Sequence, residues 1–273
     1  MSIMTALPCR LKGKVVLIVG LSSDIGSACA HILQEQGCII VGTTTKEESL
    51  AGAFKLLHLD FTEKGSIDAL ILRLASLNLK PQIIINNAGL GLDPAPLSAV
   101  DYELLLRIFN INALMPCELI RRMLKHFCLE KIVNIGSIMS ELPLPYYGAY
   151  SGAKGAFLNL TMSLRYELKA KGIDVCAVLP NLTKTQFINK RVHINVNDKE
   201  LLAKCAYIEN LNKSNQKKAD DPYKAAAAVV RALKAQHSAP VYYVGAKGYI
   251  SSFITKVFPK ACLYRIVTKI FKL

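Results

Sequence analysis

Tyr150 and Lys154, in the run Tyr150-Ser151-Gly152-Ala153-Lys154, stand four residues apart. That spacing places two side chains on one face of a helix. A free tyrosine, with a pKa of about 10, is a poor acid or base at neutral pH. An ammonium one helical turn away stabilises the phenolate and brings proton transfer within reach. Taken alone, such a pair also arises by accident on solvated helix faces. A second group able to do chemistry is Gly20-Leu21-Ser22-Ser23-Asp24-Ile25-Gly26, which follows the apolar run Val15–Val19 and opens a helical pattern. A strand, a glycine turn and a helix in succession aim backbone N–H groups and a helix dipole at a pyrophosphate. Glycine there permits both the tight turn and close approach of the phosphates.

The elements that must hold these groups alternate in kind. Val15–Val19, Cys38–Val41, Gln82–Ile85, Lys131–Ile135 and Asp174–Leu179 are strand-sized and apolar. Between them Ile25, Ala28, Cys29, Ile32 and Leu33 recur at helical spacing, as do Ile67, Leu70, Ile71 and Leu74. Strands without strict in/out alternation are covered on both faces, which predicts an α/β fold with a doubly wound parallel sheet. One domain over residues 10–248 accounts for this pattern, and neither a repeat nor a linker argues for two. Thr183–Asp221 is polar, Lys- and Asn-rich and follows a strand end, so it is expected to be a substrate lid loop.

Composition narrows the class. The chain has 273 residues, 52% hydrophobic and 20% charged, which excludes a disordered chain and allows a core of moderate size. No apolar run approaches the roughly 18–20 residues of a membrane-spanning helix. With no export signal read at the N-terminus, the expectation is a cytoplasmic protein. The eight cysteines form no C-x-x-C pair and no metal-ligand spacing with the histidines, so neither a disulfide framework nor a metal site is expected. The net charge of +14 raises nucleic acid as a partner, but no nucleic-acid-binding signature accompanies it, so none is expected.

On its motifs the chain resembles the short-chain dehydrogenase/reductase family, whose cofactor loop reads T-G-x-x-x-G-x-G. Gly20, Ser22, Ser23, Asp24, Ile25 and Gly26 fall on that loop, with Val19 at the Thr position and Asp24 at the middle glycine. A carboxylate there must point away from the phosphates or cap the helix. Asn86-Asn87-Ala88-Gly89 matches the family's N-N-A-G motif, which braces the sheet and places Asn87, Ala88 and Gly89 along the adenosine ribose. Asp60, followed by Phe61, stands where the family meets the adenine ring. Pro180-Asn181-Leu182-Thr183-Lys184-Thr185 resembles P-G-x-x-x-T beside the nicotinamide; Asn181 replaces a glycine, and Asn tolerates positive φ. Ser137 lies thirteen residues before Tyr150, the family's usual interval. Asn110 in Asn110-Ile111-Asn112-Ala113 fits the pattern N-[VIL]-x-[GA] better than Asn112 does, and matches the asparagine that holds a water in the proton relay.

The resemblance implies a Rossmann-type fold and a catalytic set of Asn110, Ser137, Tyr150 and Lys154. It implies hydride transfer between a nicotinamide and a carbonyl or secondary-alcohol carbon, with Tyr150 and Lys154 also touching the cofactor. It implies a homo-oligomer, a dimer or tetramer. NAD-preferring members carry an acid after the second strand to hold the ribose 2′-hydroxyl. Here Thr43, Thr44, Thr45 and Lys46 follow it, with no acid before Glu47, so NADP(H) is expected over NAD(H). Leu142–Tyr147 and the pair Phe187 and Ile188 suggest an apolar pocket wall for a lipid-, acyl- or steroid-like ketone. A competing reading, a dinucleotide-binding sensor or scaffold without turnover, rests on Asp24 and Asn181.

The tail, residues 249–273, is basic and amphipathic around Pro259, with Lys256, Lys260, Arg265, Lys269 and Lys272 and no acidic residue. Such a stripe commonly docks on its own domain or on a second subunit. It also suits peripheral binding to an anionic membrane at its cytosolic face.

Overall fold

The computed structural model describes residues 11–272 apart from residue 52. The expected domain start at Arg10, the thiol of Cys9 and the last residue Leu273 lie outside the described residues. In chain order the strands are β1 (Val15–Val19), β2 (Ile39–Thr44), β3 (Ser49–Ala51), β4 (Phe54–His58), β5 (Ile83–Asn86), β6 (Lys131–Ile135), β7 (Asp174–Leu179) and β8 (Val241–Tyr243). They form one eight-stranded sheet in the order β3-β4-β2-β1-β5-β6-β7-β8. Every pairing is parallel except β3 with β4.

The helices that cover the sheet explain why its strands read as unbroken apolar runs. Val16 and Ile18 of β1 pack with Leu33 of α1 (Asp24–Glu35) and Val229 of α7 (Pro222–Lys234). Leu17 and Val19 face the other way, toward Leu70 of α2 (Ser66–Ser76) and Ile120 of α4 (Met115–His126). Successive strand residues alternate sides, so a strand sandwiched between helices needs apolar residues at every position. Full burial of one such leucine is worth roughly 1.5–3 kcal/mol. Between α3 (Tyr102–Phe109) and α4 the helix widens into a π turn over Asn110–Leu114. α5 (Gly148–Lys169) packs on β7.

β1 pairs with β2 on one side and β5 on the other. The chain reverses its winding there, and the carboxyl ends of β1 and β5 open the crevice where such sheets bind ligands. The expected doubly wound α/β sheet is therefore present. β1, β6 and β7 have the expected bounds, while β2 runs on to Thr44. Gln82 sits before β5, and its side-chain carbonyl accepts the Val15 N–H at 2.8 Å. The β3–β4 hairpin and β8 leave no strand pattern in the sequence. Phe54–His58 contains no β-branched residue, and Val241–Tyr243 is too short to register as a run.

Thr183–Asp221, expected as a loop, is loop only in part. Its second half is α6 (Lys199–Gln216), capped by Asp198, whose carboxylate accepts the Leu201 N–H at 2.9 Å. Only Cys205 and Ile208 of α6 are buried, an apolar stripe too thin to show as periodicity. The boundary expected after Gly248 falls inside α8 (Gly245–Val257), so the tail is rooted in the domain directly behind β8. Pro259 then separates α8 from α9 (Lys260–Phe271).

Candidate active site

The glycine turn is built where β1 ends. Gly20 takes φ +76°, and a Cβ there would lie 3.1 Å from the Ala88 backbone. A side chain on Gly26 would come within 2.5 Å of the Gly20 carbonyl oxygen, so Gly26 serves the packing of helix on turn. Ser23 caps α1, its hydroxyl accepting the Gly26 N–H at 3.1 Å. Asn87 donates to the Gly20 carbonyl at 2.9 Å and to Ser23 Oγ at 2.7 Å, tying the loop after β5 to the turn. One cavity of about 730 Å³ runs across these strand ends. Gly20, Ser22, Ser23, Asp24 and Ile25 line it, with Asn87, Ala88 and Gly89 opposite and Pro180, Thr183 and Thr185 further along. The first-turn N–H groups of α1 have no carbonyl within the helix to bond. A bare cradle of glycine and alanine backbone beside free helix N–H groups fits a pyrophosphate.

Five expected contacts lie elsewhere. Gly26 does not line the cavity. Thr43 is 2% exposed and its hydroxyl accepts the Gly20 N–H at 3.0 Å, so it braces the turn from behind. Thr44 is equally enclosed, its hydroxyl accepting the Lys46 N–H, and Thr45 is the threonine that reaches the cavity. Asp60 turns its carboxylate onto the N–H and hydroxyl of Thr62, at 2.8 and 2.7 Å. Phe61 packs toward α2 and lines a separate surface hollow between α2 and α4. Asn181 does not use a positive φ; its side-chain oxygen closes a turn on the Leu182 N–H at 2.8 Å. Asp24 accepts the Gln186 N–H on its carboxylate at 2.8 Å, joining α1 to the segment after β7, and both residues line the cavity.

Tyr150 and Lys154 project from α5 into the cavity, with Ser137 at the end of β6. The Ser137 hydroxyl accepts the Met139 N–H at 3.2 Å and lines the cavity beside the Tyr150 phenol. Burial pushes the Tyr150 phenol up to about 12, opposed by the neighbouring Ser137 hydroxyl and by the Arg191 charge. Lys154 is 4% exposed, and burial pulls its ammonium down to about 8. Its Nζ donates to the Ile135 carbonyl at 3.3 Å.

The asparagine beside them is Asn112, and Asn110 is exposed to solvent. Asn112 is fully buried, donates to the carbonyls of Leu90 at 2.9 Å and Ile108 at 3.1 Å, and accepts the Leu90 N–H at 3.1 Å. A Cβ on Gly89 would lie 3.0 Å from Asn112 Oδ1 and 3.4 Å from Lys154 Nζ, so both groups close on the same loop. Two residues apart on a helix means opposite faces. The stripe Leu104, Ile108, Asn112 at i, i+4 was the signal that separates the two asparagines.

Beyond Tyr150 the cavity is walled by Leu144, Tyr147, Phe187 and Ile188, the apolar residues expected there. Sequence reasoning missed the other contributors. Arg191 pairs with Glu209 of α6 at 3.0 Å and lies over the Tyr147 ring at 5.9 Å, while Asn212 donates to the Tyr147 hydroxyl at 2.5 Å. Ile270 and Phe271 of α9 close the far end. No local pattern links residues so distant in the chain.

Comparison with known proteins agrees with this geometry. The sequence profile described as short chain dehydrogenase matches residues 14–194. A 3-ketodihydrosphingosine reductase of Bacteroides thetaiotaomicron is 30% identical over 184 residues, 66% of this chain and 68% of that protein. A short chain dehydrogenase from Burkholderia cenocepacia in complex with NADP superposes with a TM-score of 0.74 at 22% identity, covering 95% of this chain and 99% of that one. A 3-ketoacyl-(acyl-carrier-protein) reductase from Brucella melitensis complexed with NADH gives 0.70 at 23% identity, covering 86% and 97%. The chain therefore belongs to the short-chain dehydrogenase family, whose members are NAD(P)-dependent oxidoreductases acting on carbonyl and alcohol groups.

Proposed function

We propose that the protein reduces an apolar, lipid-like ketone with NADPH. The observation that carries this reading is one continuous cavity. It joins the phosphate-sized cradle at Gly20 to Ser137 and Tyr150, then to an apolar end at Leu144, Phe187 and Phe271. The Bacteroides relative and the Brucella neighbour, each named for a lipid-like ketone substrate, support the same substrate class. Ser137, Tyr150 and Lys154, gathered on that same cavity, argue against a sensor without turnover.

The bound dinucleotide would supply the hydride. The protein's part is to hold the carbonyl oxygen and give it a proton. Tyr150, with its pKa pushed up to about 12, keeps its proton across the neutral range and donates it to the oxygen as negative charge develops there. Ser137, lining the cavity with Tyr150, orients the same oxygen. Lys154 spends one N–H on the Ile135 carbonyl, leaving its other donors for the cofactor ribose and for restoring the tyrosine proton. Asn112 holds the Gly89–Leu90 backbone against Lys154. Thr45 reaches the cavity at the end of β2 with Lys46 next in sequence, so a 2′-phosphate meets a hydroxyl and an ammonium rather than an acid.

Nicotinamide absorbance across a ketone series tests the reading. Apolar ketones should turn over with NADPH, and Tyr150→Phe should lower kcat by about 10²–10⁴-fold while retaining NADPH binding. Full activity of Tyr150→Phe, or a preference for small polar sugars, overturns it.

A further inference from the structure

The C-terminal helices invert the usual arrangement of a docked surface helix. α8 lays its small residues Gly248 and Ser252 against the domain, at Tyr243. It leaves Tyr249, Ile250, Phe253 and Val257 50, 57, 63 and 57% exposed, Tyr249 with its ring edge-to-face on Tyr243 at 5.5 Å. These four recur at helical spacing on one face. α9 has no buried residue at all, and Tyr264, Ile266 and Ile270 are 71, 46 and 56% exposed. A helix that only covers its own domain buries its apolar stripe instead. Along α9, Arg265 and Lys269 form a stripe about 100° round the helix from Ile266 and Ile270, so the basic residues flank the apolar ones. No Asp or Glu occurs from Tyr249 onward, while Lys256, Lys260, Arg265, Lys269 and Lys272 do.

This surface is continuous with the catalytic cavity. Ile270 and Phe271 line the cavity's far end, and Lys247 at the start of α8 lines it too. The last turn of α9 rests on α6, with Lys272 over the Tyr207 ring at 5.2 Å. The same pair of helices thus offers an apolar, basic face to the outside and forms the rim of the substrate end.

We infer that α8 and α9 form a contact surface for an anionic lipid bilayer, and that the cavity mouth beside them takes its ketone from that bilayer. The charge decides between occupants. Two copies of this face would press lysines and arginines together with no acid to pair them. Anionic headgroups supply the missing charge, and the exposed aromatic and aliphatic residues enter the acyl boundary. The substrate half of the inference rests on the proposed ketone reduction; the docking half does not.

The test uses the full chain with vesicles of phosphatidylcholine alone or mixed equally with phosphatidylglycerol. Cosedimentation is expected with the anionic vesicles at low salt and is reduced at high salt. Neutralising Lys260, Arg265 and Lys269 to Gln together should weaken binding by about 100-fold. Ile250→Ser with Phe253→Ser should weaken it comparably. These side chains are exposed, so both variants should reduce a short water-soluble ketone at the rate of the unaltered protein while losing activity on a long-chain ketone embedded in vesicles. A full chain that stays in the supernatant overturns the proposal. So does a dimer in light scattering that the Ile250 and Phe253 changes convert to a monomer without vesicle binding. Vesicle binding without turnover of any ketone would sink the substrate reading and leave the docking surface standing.

Discussion

The two halves of the cavity are held by different means. At the glycine turn the links are short and involve the main chain: Thr43 accepts from Gly20, Asn87 donates back to Gly20, and Ser23 caps α1. Each link depends on a residue type at a set distance from a strand end, so a linear pattern can encode it. At the substrate end, Tyr147, Arg191, Asn212 and Phe271 come from four segments with no shared local signature. Only the tertiary fold brings them together. A fixed ligand part can thus be served by backbone geometry, while the variable part is shaped by side chains that loops and added helices supply.

Lys154 joins the halves, and its replacement is the largest expected break. Its folded pKa of about 8 lies below the ordinary 10.5, because burial penalises the charge. Below pH 8 both folded and unfolded chains hold the proton, and folding carries the full penalty of about 3 kcal/mol. Between pH 8 and 10.5 the folded chain sheds the proton first and the penalty fades; above 10.5 it is gone. Lys154→Met removes the charge and also the hydrogen bond to the Ile135 carbonyl, worth about 1 kcal/mol. Net stabilisation of about 2 kcal/mol near neutral pH, or ~5 °C in Tm, is expected. The gain should disappear by pH 10.5, and kcat/KM should fall by about 10²-fold or more. Thermal melts across pH, run beside activity assays, check both signs; a Tm that drops near pH 7 refutes the account.

The asparagines give the next largest effect and show where sequence reading succeeds and where it fails. The glycine turn, Ser137, Tyr150 and Lys154 were legible because each sits at a strand end or at i, i+4. Asn110 fits a four-letter pattern, but helix geometry puts Asn112 on the face of Ile108. The π turn at Asn110–Leu114 further unsettles residue counting there. β8, the β3–β4 hairpin and α6 escaped because short or thinly apolar elements leave little periodicity. Asn112→Ala strands the Leu90 backbone groups and should cost about 2 kcal/mol, with loss of turnover. Asn110→Ala, on an exposed side chain, should change stability by less than about 0.5 kcal/mol. Denaturant titration of the pair decides, and equal effects would contradict the placement of Asn112.

The smallest expected effect separates backbone support from side-chain choice within the nucleotide half. Thr43 and Thr44 are spent on hydrogen bonds to Gly20 and Lys46, so changing them would disturb the turn itself. Thr45 is exposed and reaches the cavity without a hydrogen bond in the turn's support. An acid introduced there repels a 2′-phosphate and accepts from a ribose 2′-hydroxyl. Thr45→Asp should therefore weaken NADPH by about tenfold, some 1.4 kcal/mol, and strengthen NADH. The melting temperature without cofactor should stay unchanged, because no packing is altered. Fluorescence titration with both dinucleotides reads the shift directly. If NADPH affinity is untouched, the 2′ position lies away from Thr45, and the selection of the cofactor belongs to another side chain.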